Sequence, residues 1–294
     1  MTDARNDEAA DWIEEREGDS LRLGYRVTGR VFSGTSSYQR IEVVDTGAFG
    51  RMLFNDGVVM VSERDEFVYH EMIAHVPLFV HPRPRRVLVI GGGDGGSVRE
   101  VLRHPEVEHC RLVEIDGMVL DACREHLPSM AGSLADPRVE VTVGDGVAFV
   151  ERTGERYDLV LVDSTDPVGP AEPLFGPGFY SAVHRVLRED GVVVSQAESP
   201  FLHPDRQRAL LRILGDRFER VGIYNYANIT YPGGFWSFTF AARGDLCPLG
   251  DLDDARVERS GLAFRYYSPE VHRAAFVLPP FQAQALRGLR TPFK

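Results

Sequence analysis

The 294 residues carry a formal net charge of −11, from 33 Lys and Arg against 44 Asp and Glu. That balance excludes a polyanion, whether nucleic acid or an anionic membrane surface, as the main partner, and it favours small cations. No apolar run reaches the length of a membrane span and the acidic start lacks a signal peptide's apolar stretch. Cys110, Cys123 and Cys247 lack C-x-x-C or metal-ligand spacing, so a cytoplasmic protein with reduced thiols is expected.

Between residues 21 and 60 apolar and polar residues alternate, with Gly24, Gly29, Gly34 and Asp56-Gly57 as turn signals. The pattern predicts short antiparallel strands forming a small β-domain over residues 1–63. Gln39, on one of them, either faces solvent or reaches a ligand near the hinge. Over 62–77, Ser62 and Asp65 form a capping pattern ahead of apolar residues at helical spacing, which predicts a linking helix that ends at Pro77. Tyr69 and His70 on it are core residues or line the mouth of a site. His70-Glu71 is followed by His75, one residue too far for the H-E-x-x-H zinc motif, so the two imidazoles turn to different faces.

The apolar run 87–90 meets five glycines in GGGDGG at 91–96, a buried parallel strand running into a tight loop and a helix. Gly91, Gly93 and Gly96 fit the G-x-G-x-x-G spacing that lets a backbone approach a nucleotide. The strand at 110–116 then delivers Glu114 and Asp116 where an acid grips ribose hydroxyls. Asp94 breaks the pattern: a carboxylate in the loop opposes a pyrophosphate at the helix N-terminus and suits a cation, and a capping role is compatible with that. Further strands at 139–143, 157–163 and 191–195 lead into Asp145-Gly146, the rigid loop from Asp163 to Glu172, and Gln196 and Glu198. Antiparallel strands over 221–226 and 235–241 follow. A Rossmann-like, doubly wound α/β sheet over 64–294 is predicted behind the antiparallel β-domain.

Asp94, Glu114, Asp116, Asp145, Asp163, Asp166 and Glu198 all fall at or just past strand ends. Like charges gathered there are costly unless something positive joins them, and no Lys or Arg lies inside these motifs. The positive charge is assigned to the ligand. The acids are spread along a sheet edge rather than drawn into a compact oxygen cluster, so organic cations fit better than a metal and no metal site is predicted. Ser164 lacks the G-x-S-x-G elbow and reads as a turn hydroxyl.

The motifs YHEM, GGGDGG, VEID, DG, DSTDPVGPAEPLF, YPGGxW and RYYSPEVHRAAFVLP occur in that order. In them the chain, from about Trp12 to Leu278, resembles the spermidine synthases, the polyamine aminopropyltransferases, with a tail most like bacterial members. The resemblance implies a class I methyltransferase-like fold and a homodimer or homotetramer. It also implies transfer of an aminopropyl group from decarboxylated S-adenosylmethionine, a co-substrate rather than a bound cofactor, to a diamine such as putrescine. By motif, Gln39, Glu114, Asp145, Gly146 and Pro170 would contact the nucleoside and Asp94 the aminopropyl nitrogen. His70, Asp166 and Tyr231 would line the polyamine channel, Asp163 would accept the proton and Tyr69 would assist. Asp166 and Glu198 are candidates for the acceptor's remote ammonium. Met60, where the family commonly has Gln, and Ile229, where it commonly has Pro, depart from the pattern and bear on the choice of amine, and the Gln196 segment differs from some members' variants. A methyltransferase and a silent polyamine- or nucleoside-binding protein remain alternatives, whereas Asp94 argues against an NAD enzyme.

Overall fold

The computed structural model describes residues 11–293; the acidic residues 1–10 and Lys294, the single lysine, lie outside the described residues. Five antiparallel strands come first: β1 Trp12–Glu17, β2 Leu21–Thr35, β3 Arg40–Thr46, β4 Gly50–Asn55 and β5 Val58–Ser62, paired in sequence order. Strand β1 occupies what reads as an acidic leader, because Ile13 and Glu15 alternate inward while Trp12, Glu14 and Arg16 face out. Strand β2 runs through Gly24, Gly29 and Gly34, three of the expected turns, with register shifts beside Gly29 in place of a reversal. The chain reverses instead at 36–39, at 47–49 and at Asp56-Gly57.

Helix α1, Glu66–Val80, continues past Pro77 rather than ending there. Every side chain from Val68 to Val80 is buried, and that packing outweighs the one backbone N–H that proline removes. Asp65 takes the cap position without bonding the helix. Its carboxylate accepts from the Ser62 hydroxyl at 2.8 Å and from the Ile229 and Thr230 amides at 2.7 and 3.0 Å, which pins a distant loop to the helix entry.

The second sheet follows by alternation: β6 Arg86–Gly91, α2 Gly96–Leu102, β7 His109–Glu114, α3 Gly117–His126, α4 Pro128–Ala131, β8 Val139–Val143, α5 Gly146–Arg152, β9 Tyr157–Asp163, α6 Pro177–Val186, β10 Leu187–Gln196, α7 Pro204–Gly215, β11 Arg220–Ala227 and β12 Phe235–Ala242. Its order is β11-β12-β10-β9-β6-β7-β8, parallel from β10 to β8 and antiparallel at β12 and β11. Alternate residues of β6 and β9 enter opposite cores, Val87, Val89, Leu159 and Leu161 on one face and Leu88, Ile90, Val160 and Val162 on the other. That two-faced burial is why these strands read as unbroken apolar runs. The strand order reverses between β6 and β9, and open α/β sheets bind ligands outside the strand ends at such a point.

Helices α8 Asp254–Arg259, α9 Pro269–Ala275 and α10 Pro280–Ala285 close the chain. The RYY of the tail motif is tied down by Glu71, whose carboxylate accepts from the amides of Arg265, Tyr266 and Tyr267, each at 2.8 Å. Among the described residues no helix is long and apolar enough to cross a membrane.

Candidate active site

A cavity of about 350 Å³ lies at the switch point, under the β4–β5 hairpin. Gln39, Tyr69, His70, Asp94, Glu114, Asp145, Gly146, Asp163, Asp166, Pro170 and Tyr231 all line it, whereas Asp116, Glu198 and Ile229 do not. The glycines make this possible. A Cβ on Gly91, which has φ +80°, would lie 2.1 Å from the Asp163 carbonyl on the neighbouring strand, and one on Gly96 would lie 2.2 Å from the His70 ring. The third glycine of the motif thus makes room for a side chain of the site rather than for helix–sheet packing.

On the β7 side, the Glu114 carboxylate accepts from the Asp116 amide at 2.9 Å, and burial, with the charges of Asp116, Asp163 and Asp94 adding, pushes it up to about 7. Asp145 caps α5 through the amides of Val147 and Ala148 at 2.8 and 3.3 Å. Asp116 behaves otherwise than expected. It caps α3 at Met118, receives the Ser36 hydroxyl at 2.6 Å and the Gln39 amide at 3.1 Å, and does not line the cavity. Its role is to clamp the β-domain onto the second sheet and to orient Gln39.

At the loop, Asp94 Oδ1 accepts from the Gly96 amide at 2.6 Å and lies 3.3 Å from His70 Nε2, so it holds the first amide of α2, whose cap position is Gly95, as well as facing the cavity. Burial would raise its pKa, but the charge and hydrogen bond of His70 outweigh that and hold it below the usual carboxylate range. Asp163 goes the other way: burial and the Asp94 charge raise it, against His70 and hydrogen bonds from Ser97, whose hydroxyl is at 2.6 Å, and Tyr69. Asp166 is likewise raised by burial and receives the Gln196 amide at 2.8 Å. The Tyr231 hydroxyl donates to the Met60 carbonyl at 2.9 Å, and Tyr69 packs edge-on against Tyr226, Tyr231 and Phe238. The Ser164 hydroxyl donates to the Thr165 carbonyl at 3.1 Å, as a turn hydroxyl should.

Three expectations change. The motifs do hold a basic side chain, His70, although among the described residues no Lys or Arg lines the cavity. Glu198 is buried but absent from the cavity wall: Arg206 takes its Oε1 at 2.9 Å and its amide donates to Gln196 Oε1 at 2.9 Å. Ile229 is 58% exposed and does not line the cavity, whereas Met60 does. In place of Glu198, the wall contains Glu15 of β1, close enough to feel the charge of Asp166 and pushed up to about 7 chiefly by burial. Sequence reasoning missed it; the inward alternation of Ile13 and Glu15 was the available signal. Ser97 was missed as well, with nothing in its own motif to mark it.

Residues 66–249 match the spermine/spermidine synthase domain family and residues 11–63 the spermidine synthase tetramerisation domain. A polyamine aminopropyltransferase of Bacillus subtilis (strain 168) is 44% identical over 277 residues, covering 94% of this chain and 99% of that protein. One from Thermoanaerobacter sp. (strain X514) is 43% identical over 273 residues, covering 92% and 96%. Among solved structures, a spermidine synthase in complex with the transition state analogue AdoDATO superimposes with a TM-score of 0.92 at 39% identity, over 94% of each chain. The spermidine synthase of Thermotoga maritima gives 0.89 at 38%, again over 94% of each.

Proposed function

The chain belongs to the spermine/spermidine synthase family and is an aminopropyltransferase, and we propose that it moves the aminopropyl group of decarboxylated S-adenosylmethionine to putrescine, yielding spermidine and 5′-methylthioadenosine. The observation that carries this is the charge of the cavity, where seven carboxyl side chains face a single basic one, His70. A sulfonium donor with an ammonium tail and a diamine acceptor supply the cations such a wall lacks. The donor is consumed as a co-substrate, and neither a permanently bound cofactor nor a metal enters the scheme.

Gln39, Glu114, Asp145, Gly146 and Pro170 hold the nucleoside, and Asp94 takes the aminopropyl ammonium. The acceptor lies along Tyr69, Asp163, Asp166 and Tyr231, with His70 behind Asp94 and the remote ammonium between Asp166 and Glu15. The acceptor nitrogen attacks the carbon beside sulfur. The C–S bond breaks with its electron pair passing to sulfur, positive charge passes to nitrogen, and Asp163 accepts one proton. An ordinary alkylammonium and an ordinary Asp differ by about 6 pH units, or about 9 kcal/mol. Two effects narrow that gap: burial and Asp94 raise Asp163, and the neighbouring sulfonium lowers the amine. Ser97 and Tyr69 fix the carboxylate's direction, and alignment of this kind supplies much of the rate.

In the same scheme residues 1–63 are the assembly unit of a homodimer or homotetramer, supported by the match of 11–63 to a tetramerisation domain, and residues 64–294 are the catalytic domain. Steady-state kcat/KM with putrescine, cadaverine, agmatine and spermidine, each alone, tests the acceptor. Putrescine should be fastest and cadaverine slower but active, since one extra methylene costs only about 1–3 kcal/mol. Putrescine inert beside fast spermidine or agmatine would overturn the assignment.

A further inference from the structure

His70 is 3% exposed and sits between two carboxylates: Nδ1 lies 2.6 Å from Glu66 Oε2 and Nε2 3.3 Å from Asp94 Oδ1. Ionised carboxylates only accept: Nδ1 gives its N–H to Glu66, and Asp94 lies at ion-pair distance from Nε2, where a neutral ring would turn a lone pair toward a carboxylate. The geometry therefore calls for an imidazolium. Glu66 is gripped in turn by Arg99 of α2 through two contacts, NH2 to Oε2 at 2.7 Å and NH1 to Oε1 at 3.1 Å. Arg99 Nε reaches Glu100 at 2.9 Å, and Glu100 also binds Arg103 at 2.5 Å and His75 at 2.9 Å. The carboxylate beside His70 is thereby held by a guanidinium that is itself held. Neither Glu66 nor Arg99 lines the cavity.

We propose that Glu66 and Arg99 are positioning residues for aminopropyl transfer, fixing His70 as an imidazolium whose Nε2–H keeps Asp94 ionised and turned toward the donor's ammonium. This rests on the role given to Asp94 above. The charged groups facing His70 are Glu66 from its own helix, Asp94 from the glycine loop and Asp163 from the end of β9, with Arg99 reaching Glu66 from α2. Burial alone would discharge the ring, but the two adjacent carboxylates outweigh it and hold it up at about 10. Glu66 has a further reason to stay in place: burial would raise its pKa, but the hydrogen bonds and charges of His70 and Arg99 outweigh that and hold it below the usual carboxylate range.

The charge state is read directly by nitrogen-resolved NMR of the imidazole between pH 6 and 10. In the unaltered protein His70 should stay doubly protonated at pH 8. In Glu66→Gln its titration midpoint should fall by about 1 pH unit or more, and the KM for the donor should rise about fivefold at pH 10, where the ring goes from about half to about one-tenth protonated, with kcat little changed. The basic limb of the kcat/KM profile should move to lower pH. Arg99→Met, which frees Glu66 from its guanidinium, should raise the donor KM without lowering the midpoint, and Glu66→Gln added to His70→Gln should leave the profile of His70→Gln unchanged. A merely structural role would lower thermal stability without moving the titration or the profile. A neutral His70 at pH 8 in the unaltered protein, or unchanged titration and profile in Glu66→Gln, overturns the proposal. If the unaltered protein forms no aminopropylated product, the assigned reaction fails, and the ring's charge state still judges Glu66 and Arg99.

Discussion

Asp163 ends β9 beside Gly91 with its carboxylate held by Ser97, so Asp163→Asn preserves shape and removes basicity. The expected result is a fall in kcat of about 10²-fold or more with donor binding retained, the scale of lost general base catalysis; near-normal turnover would take Asp163 out of that role. In the proposed reaction, Asp94 is the residue expected to set which donor is used. Intact S-adenosylmethionine would bring its own carboxylate against Asp94, and two such charges about 4 Å apart repel by about 4 kcal/mol at an effective dielectric of 20. His70 offsets part of that charge, so the expected preference for the decarboxylated donor is at least about tenfold in Kd, or about 1.4 kcal/mol. Asp94 and Asp163 were legible because each ends an apolar strand or interrupts a glycine loop. Glu198 misled: its position past a strand end says nothing of Arg206 one helix away, which takes the carboxylate for a fold contact.

At the scale of elements, the entry to α1 depends on Asp65, which is buried and joins β5, α1 and the 229–230 loop. Asp65→Ala strands the buried Thr230 amide, at about 1–3 kcal/mol, frees the part-buried Ile229 amide, and leaves the hydroxyls of Ser62 and Thr230 only each other. The variant should lose at least about 2 kcal/mol of stability in urea unfolding, and the acceptor KM should rise because Tyr231 adjoins the released loop. Unchanged stability would show that water replaces the lost carboxylate. The capping pattern located the helix start but not the partner loop, more than 160 positions away in sequence. Pro77 and the glycines of β2 were misread for a related reason. Local punctuation signals a break only where packing permits one, and here burial of α1 and the ladder with β3 carry the chain through. The strands of the second sheet were legible, since strands buried on both faces stand out as apolar runs, while most of the helices between them followed only from the alternation.

For the whole molecule, the raised acids set the pH response. Glu15 and Glu114 at about 7 and Glu198 at about 8 bind protons more tightly folded than unfolded, so their contribution to stability is present below the ordinary Glu range and lost as pH rises to about 8. His70, raised to about 10, has the same sign: its contribution is complete below the ordinary His range and lost as pH rises through about 10. The ligand-free Tm should therefore fall between pH 6 and 9. A cationic ligand relieves the same crowding, so the Tm gain from saturating donor should be larger at pH 8.5 than at pH 6; a flat or rising ligand-free profile would contradict these assignments. The central claim is the reaction itself, and the measurement that tests it is mass spectrometry of the products formed from putrescine with equal concentrations of intact and decarboxylated S-adenosylmethionine. The expected result is spermidine and 5′-methylthioadenosine drawn from the decarboxylated donor; a methylated amine with S-adenosylhomocysteine, or no aminopropylated product, would contradict it.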